Sequence, residues 1–120
     1  MRPWFRLPFG RGQGDTRIAH EVGELGFHPP VAWEVDPEDW SGPPGELIRA
    51  AIRDGLARRT TDTVVLLHSW PDGTRDAIPG VVRDIRDAGH ALVRLDALTR
   101  WPGQALGRPT VGRPATPTEP

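Results

Sequence analysis

Three short stretches of this chain carry side chains that could do chemistry. Arg6 stands in the run Phe5-Arg6-Leu7-Pro8-Phe9-Gly10. Asp36 and then Asp39-Trp40 follow one apolar run, in a loop opened by Pro37. His68, Ser69 and Trp70 follow a second apolar run and lead into a Pro71-Asp72-Gly73 turn. On position alone His68 reads as a histidine at a strand end that hydrogen-bonds a neighbour. Other chemistries are closed off by composition. The chain has no cysteine, which removes disulfides, thiolate metal sites and cysteine nucleophiles. All 15 basic residues are arginine, so no ε-amino group is present for a P-loop, a Schiff base or a lysine general base. Ser69 beside His68 lacks the G-x-S-x-G elbow of a serine nucleophile. No two of His20, His28, His68 and His90 are spaced i, i+4; His20 with Glu24 is the helical histidine–carboxylate pair at that spacing, and it is expected to face solvent.

The elements that must position these residues follow from periodicity. A helix is expected from about Asp15 to Gly26, capped by Asp15, with Ile18, Ala19, Val22 and Leu25 on one face and Gly26 in a left-handed C-terminal position. A second is expected over about Gly45–Arg59, with Leu47, Ile48, Ala51, Ile52 and Leu56 apolar. A third covers about Thr74–Ala88, with Ile78, Val81, Val82 and Ile85 as its stripe and Pro79 in or near its first turn. Three runs of strand length lie between and after them: Val31–Val35, Thr63–Leu67 and Ala91–Leu95. Helices alternating with such runs predict an α/β chain with about three parallel strands and three helices, joined by right-handed crossovers. Val64–Leu67, apolar at successive positions, reads as a strand covered on both faces. Ligand chemistry in parallel α/β folds collects at the carboxyl ends of strands, so Arg6, Asp36, Asp39, His68 and the tryptophans are expected to converge on one rim.

A chain of 120 residues is one domain's worth. Residues 1–100 are expected to form it. Residues 101–120, rich in proline and glycine, read as a disordered tail that cannot bury enough surface to offset its ordering entropy. With a net charge of −1 and acids alternating with arginines, the chain offers no broad positive field for nucleic acid. It contains no apolar run long enough to span a membrane, and its start lacks the apolar stretch of a secretion signal, so as written it reads as cytoplasmic.

The motifs also resemble a known family. Phe5-Arg6-Leu7-Pro8-Phe9-Gly10, Asp36-Pro37-Glu38-Asp39-Trp40 and Leu66-Leu67-His68 are similar, in order and spacing, to the last three motifs of the polysaccharide deacetylases (NodB-homology, carbohydrate esterase family 4). The intervening Gly-Phe before the Trp-x-x-Asp run and Gly-His before the last apolar run agree as well. The resemblance covers about residues 4–98. It implies hydrolysis of N-acetyl, sometimes O-acetyl, groups on an acetylated polysaccharide or oligosaccharide by a family that mostly works on the cell envelope. It implies His68 as the general acid for the leaving amine, with Asp39 holding its tautomer and favouring its charged form. Trp40 and Leu66 would wall the acetyl pocket, the Phe9 backbone N–H would stabilise the oxyanion, and Arg6 would orient a catalytic carboxylate. Zinc or another divalent metal is implied for a complete family domain, where it polarises the carbonyl and activates water.

Two family motifs, T-F-D-D-G and H-x-x-x-H, are absent, and with them the expected base and metal ligands. No metal site and no cofactor are therefore expected in this chain. The family fold, a distorted (β/α) barrel, needs about 200 residues or more. The chain is thus expected to be the C-terminal half of such a domain, a partial barrel inactive alone. Its uncovered strand edge and sheet face would pair with a complementing chain or a second copy. Blander roles stand beside these. Asp39 could cap the following helix, Arg6 could be a surface arginine, Trp40 and Trp70 could be plain loop aromatics, and Trp33 reads as core. Two other functions stay open: a non-catalytic sugar-binding module using rim tryptophans, and an unrelated small α/β protein.

Overall fold

The computed structural model describes residues 2–98. The tail expected at residues 101–120 lies outside them. Three α-helices are present: α1, Thr16–Glu24; α2, Gly45–Ala57; and α3, Asp72–Asp87. Three single turns of 3-10 helix, Pro8–Gly10, Asp39–Ser41 and Leu95–Ala97, lie between and after them. The described residues divide into two compact units, 2–32 and 33–98.

The sheet expected from the sequence does not form, and the α/β partial barrel gives way to a helical arrangement. Among the described residues there is no strand, and the parallel pairing is reduced to one bridge, Val35 with Val65. Around it the Val35 N–H donates to the Val64 carbonyl at 3.2 Å, and the Leu66 N–H donates to the Val35 carbonyl at 3.0 Å. The residues that would extend this ladder are used otherwise. In parallel register the Val64 N–H would reach the Trp33 carbonyl; it donates instead to the Glu34 side-chain Oε1 at 2.8 Å. In the other direction the next donor is position 37, where proline has no N–H to give. The donor after that, the His68 N–H, goes to the Asp39 carboxylate at 2.7 Å. The run Thr63–Leu67 is only half-buried, so it is not covered on both faces. Ala91–Leu95 is mostly exposed, with Leu92 at 48% and Val93 at 57%, and among the described residues none pairs with it in a ladder.

The helices follow the sequence closely. Asp15 caps α1 through its side chain, which accepts from the N–H groups of Arg17 and Ile18. The helix ends with Gly26 at φ +93°, the Gly26 N–H on Gly23 and the Phe27 N–H on Val22, so the orphan carbonyls are satisfied by a glycine-led stop. The Arg2 guanidinium adds donors to the Gly23 and Phe27 carbonyls at the same end. In this unit Leu7, Val22 and Val31 are buried, whereas Leu25, expected on the apolar face, is exposed because the helix stops at Glu24.

In the 33–98 unit, α2 buries Ile48, Ile52 and Leu56 against Ala77, Val81 and Ile85 of α3, with Val35 in the same cluster and Val65 and Leu67 packed on it. Leu47 and Ile78, expected on these faces, are exposed instead. Close approach depends on Gly55, where a Cβ would come within 2.8 Å of the Val35 side chain. α3 begins at Asp72, earlier than expected, so Pro79 sits inside it rather than in its first turn and leaves the Arg75 carbonyl without its i+4 donor.

An ion pair ties the outer sides of the two helices. Arg49 donates through two guanidinium nitrogens to both oxygens of Asp84 at 2.8 Å each, and Arg53 adds a third bond at 2.9 Å. The Arg49 hydrogen bonds, outweighing desolvation and joined by Arg53, hold the Asp84 carboxyl at about 2. A carboxyl depressed on folding stabilises the native state above its unfolded value of about 3.9, and that contribution is lost as pH falls toward 2. Wild type should therefore lose stability over this window more steeply than Asp84→Asn, as read by urea unfolding at pH 7, 4 and 2.5.

Candidate active site

The isolated parallel bridge also builds the site. Val35 and Val65 pair in parallel, so both chains leave the bridge in the same direction. Asp39 comes four residues after Val35 and His68 three after Val65, which delivers the two side chains to one place. Between Val35 and Asp39 the turn is held by Asp36, whose carboxylate accepts from the Glu38 N–H at 2.9 Å and from Trp33 Nε1 at 3.2 Å. Glu38 then takes a left-handed conformation at φ +54°, unusual for a residue with a Cβ, and Asp39 opens the 3-10 turn.

Asp39 is fully buried and accepts three hydrogen bonds. Oδ1 faces His68 Nδ1 at 2.8 Å; Oδ2 accepts from the His68 backbone N–H and from the Thr74 hydroxyl, both at 2.7 Å. Burial opposes its charge, but the His68 backbone N–H, the Thr74 hydroxyl and the His68 ring together hold the carboxyl below its ordinary value. An ionised carboxylate can only accept, so Nδ1 carries the hydrogen and Nε2 is the ring atom left to exchange a proton with a ligand. The His68 side chain is 21% exposed, open enough for that exchange.

Trp70 stands 61% exposed with its ring centroid 5.8 Å from the His68 ring, and Trp40 is 41% exposed. Leu66 is half-buried on the run leading to His68, and Trp33, expected in the core, is also half-buried. Arg6 and Phe9 belong to the 2–32 unit. Arg6 is exposed beside the Pro8–Gly10 turn, and Phe9 within that turn is exposed at φ +58°. His20 and Glu24 lie exposed on α1. Asp39 does not cap the helix that follows it: α2 starts behind Pro44 with no side-chain cap, and the carboxylate is spent on His68 and Thr74. Thr74 joins the site from the first turn of α3, beyond the residues expected there. Its signal was a threonine in the first turn of the helix that follows His68. Among the described residues no group of three His, Asp or Glu side chains is placed to hold a metal.

This pairing of a buried carboxylate with a half-open imidazole is suited to proton transfer. No family model matches the chain. Over 64 residues, 53% of this chain, it is 36% identical to the chitooligosaccharide deacetylase of Azorhizobium caulinodans, of which it covers 28%. The structure of a family 4 carbohydrate esterase from Streptomyces lividans, in complex with acetate, matches with a TM-score of 0.60 and 25% identity over 82% of this chain and 50% of that one. The chain thus spans half or less of the relatives it matches. It corresponds to part of a NodB-type polysaccharide deacetylase domain.

Proposed function

We propose that this chain serves carbohydrate deacetylation, with His68 as the proton donor and Asp39 as the residue that aims it. The observation that carries this reading is the Asp39–His68 bond at 2.8 Å, on an imidazole whose side chain is 21% exposed. In hydrolysis of a sugar acetamide, water adds to the carbonyl carbon and the C–N bond breaks. The Nε2–H of a charged His68 would pass its proton to the departing nitrogen, so that the amine leaves neutral; acetate is the second product, and the protons of the added water go to a base outside the described residues and to solvent. Trp40 and Leu66 would line the acetyl side.

A divalent metal supplies carbonyl polarisation and water activation in the family, but the residues described here do not fit one, since no three ligands converge. We therefore assign no step to a metal in this chain. Hydrolysis on this reading needs a ligand set supplied from outside the described residues, by a complementing chain among other sources. Purified chain in zinc-containing buffer should release no acetate from N-acetylglucosamine oligomers. Release should appear on adding a polypeptide that carries T-F-D-D-G and H-x-x-x-H, and be abolished in His68→Ala. Acetate from the chain alone would overturn the need for an outside ligand set. Absence of release in every mixture would overturn the proposed activity.

The exposure of Trp40 and Trp70 favours a second reading, a non-catalytic sugar-binding module in which these rings stack on pyranose faces. Tryptophan fluorescence in the same mixtures separates the two. Oligosaccharide binding that ignores chelator and is lost in Trp40→Ala, with no acetate released, selects the module.

A further inference from the structure

Thr74 occupies a position where an apolar residue would pack equally well. It is 2% exposed and lies on the stripe of α3 that also carries Ala77, Val81 and Ile85. A hydroxyl buried there costs stability unless it is bonded, and valine has nearly its shape without that cost. Threonine in a helix commonly satisfies its hydroxyl on a carbonyl of the preceding turn. Here the hydroxyl instead crosses to Asp39 Oδ2 at 2.7 Å. Its single hydrogen must point to the carboxylate, because an ionised carboxylate has none to give.

We propose that Thr74 is a positioning residue for the His68 imidazole, acting through the Asp39 carboxylate. The assignment rests on the reading of Asp39 and His68 as a proton-transfer pair. Oδ2 receives two donors, the His68 backbone N–H and the Thr74 hydroxyl, which leaves Oδ1 alone to receive Nδ1. Three donors on two oxygens stop rotation of the carboxylate about its Cβ–Cγ bond. Because threonine is branched at Cβ, its hydroxyl is held in few rotamers and fixes the carboxylate plane firmly. The Thr74 hydroxyl also helps keep the buried Asp39 ionised, and His68 is the ionisable group that acts on it. Without that hydroxyl, the carboxylate loses one of two donors on Oδ2, is free to turn about its Cβ–Cγ bond, and no longer keeps Oδ1 aimed at Nδ1.

The test uses the full 120-residue chain with isotope-labelled histidine and aspartate, read by NMR, in wild type, Thr74→Val, Thr74→Ala and Thr74→Ser. In wild type the neutral His68 ring should be in the Nδ1–H form. In Thr74→Val and Thr74→Ala it should become a mixture of tautomers, and the Asp39 titration midpoint should rise by about 1 pH unit. Thr74→Ser should restore both signals. A folded Thr74→Val or Thr74→Ala chain with unchanged tautomer and midpoint, only less heat-stable, would show a purely structural threonine and overturn the proposal. Failure of both to fold would overturn it equally, as would failure of serine to rescue. The proposed activity is judged separately by acetate release: its absence would remove the deacetylase reading while leaving the tautomer result standing.

Discussion

Asp39→Ala should cost about 3 kcal/mol of folding stability and release the His68 ring from its fixed tautomer. The substitution leaves the Thr74 hydroxyl and the His68 backbone N–H without their acceptor, and Thr74 is buried. Each buried donor left unmade costs about 1–3 kcal/mol, while the half-open imidazole can turn to water and adds less. The loss is pH-dependent in a defined sense. Asp39 has a lowered pKa in the fold, so its contribution is present above the unfolded value of about 3.9 and disappears as pH falls through the folded value. Denaturant unfolding at pH 7 should separate wild type from Asp39→Ala widely, and the two curves should draw together in acid. Equal stability at pH 7 would mean that the three bonds to this carboxylate do not hold the fold.

The second large effect is expected from Ile48→Ala, about 3 kcal/mol, compared with a near-neutral Leu47→Ala. Ile48 is fully buried between α2 and α3, and its Cδ1 lies 3.4 Å from where a Cβ on Gly73 would be. Gly73 precedes Thr74, so Ile48 supports the first turn of α3, from which the Thr74 hydroxyl reaches Asp39. Truncation leaves a cavity there because the helices cannot close fully over it, and lost contacts add to the lost transfer energy. Leu47, its neighbour, is 60% exposed and has little to lose. Urea midpoints of the two variants measure the difference. Comparable losses from both would show that α2 packs in a different rotation.

That pair also marks how far the sequence could be read. A window of apolar residues predicts a helix and its approximate face, and Ile48, Ile52, Leu56, Val81 and Ile85 are buried as their spacing required. It does not say where the edge of the stripe falls. Leu47, Ile78 and Leu25 sit on that edge or beyond a helix end, and they are exposed. The caps were more legible, since Asp15 and Gly26 act through chemistry confined to one turn.

The strands failed for a different reason. Val31–Val35 and Thr63–Leu67 have the composition of paired strands, but pairing depends on which N–H meets which carbonyl across two distant segments. Glu34 takes the Val64 N–H with its side chain, Pro37 has none to offer where the ladder needs one, and Asp39 takes that of His68. One of these captures, that of the His68 N–H by Asp39, also holds together the Asp39–His68 pair that the motif resemblance implied.

By itself, then, the chain's sequence determined the three helices, their stops, the exclusion of cysteine and lysine chemistry, and the motifs shared with polysaccharide deacetylases. Each of these is local, set by side chains within a turn or two of one another. Only the tertiary structure decided that, among the described residues, a lone parallel bridge replaces a sheet and that Asp39, paired with the His68 ring as the resemblance implied, also takes the His68 backbone N–H. The same holds for Thr74 on α3, which holds the far oxygen of that carboxylate. Those outcomes depend on hydrogen-bond partners about thirty positions apart, and no local pattern fixes a contact at that separation.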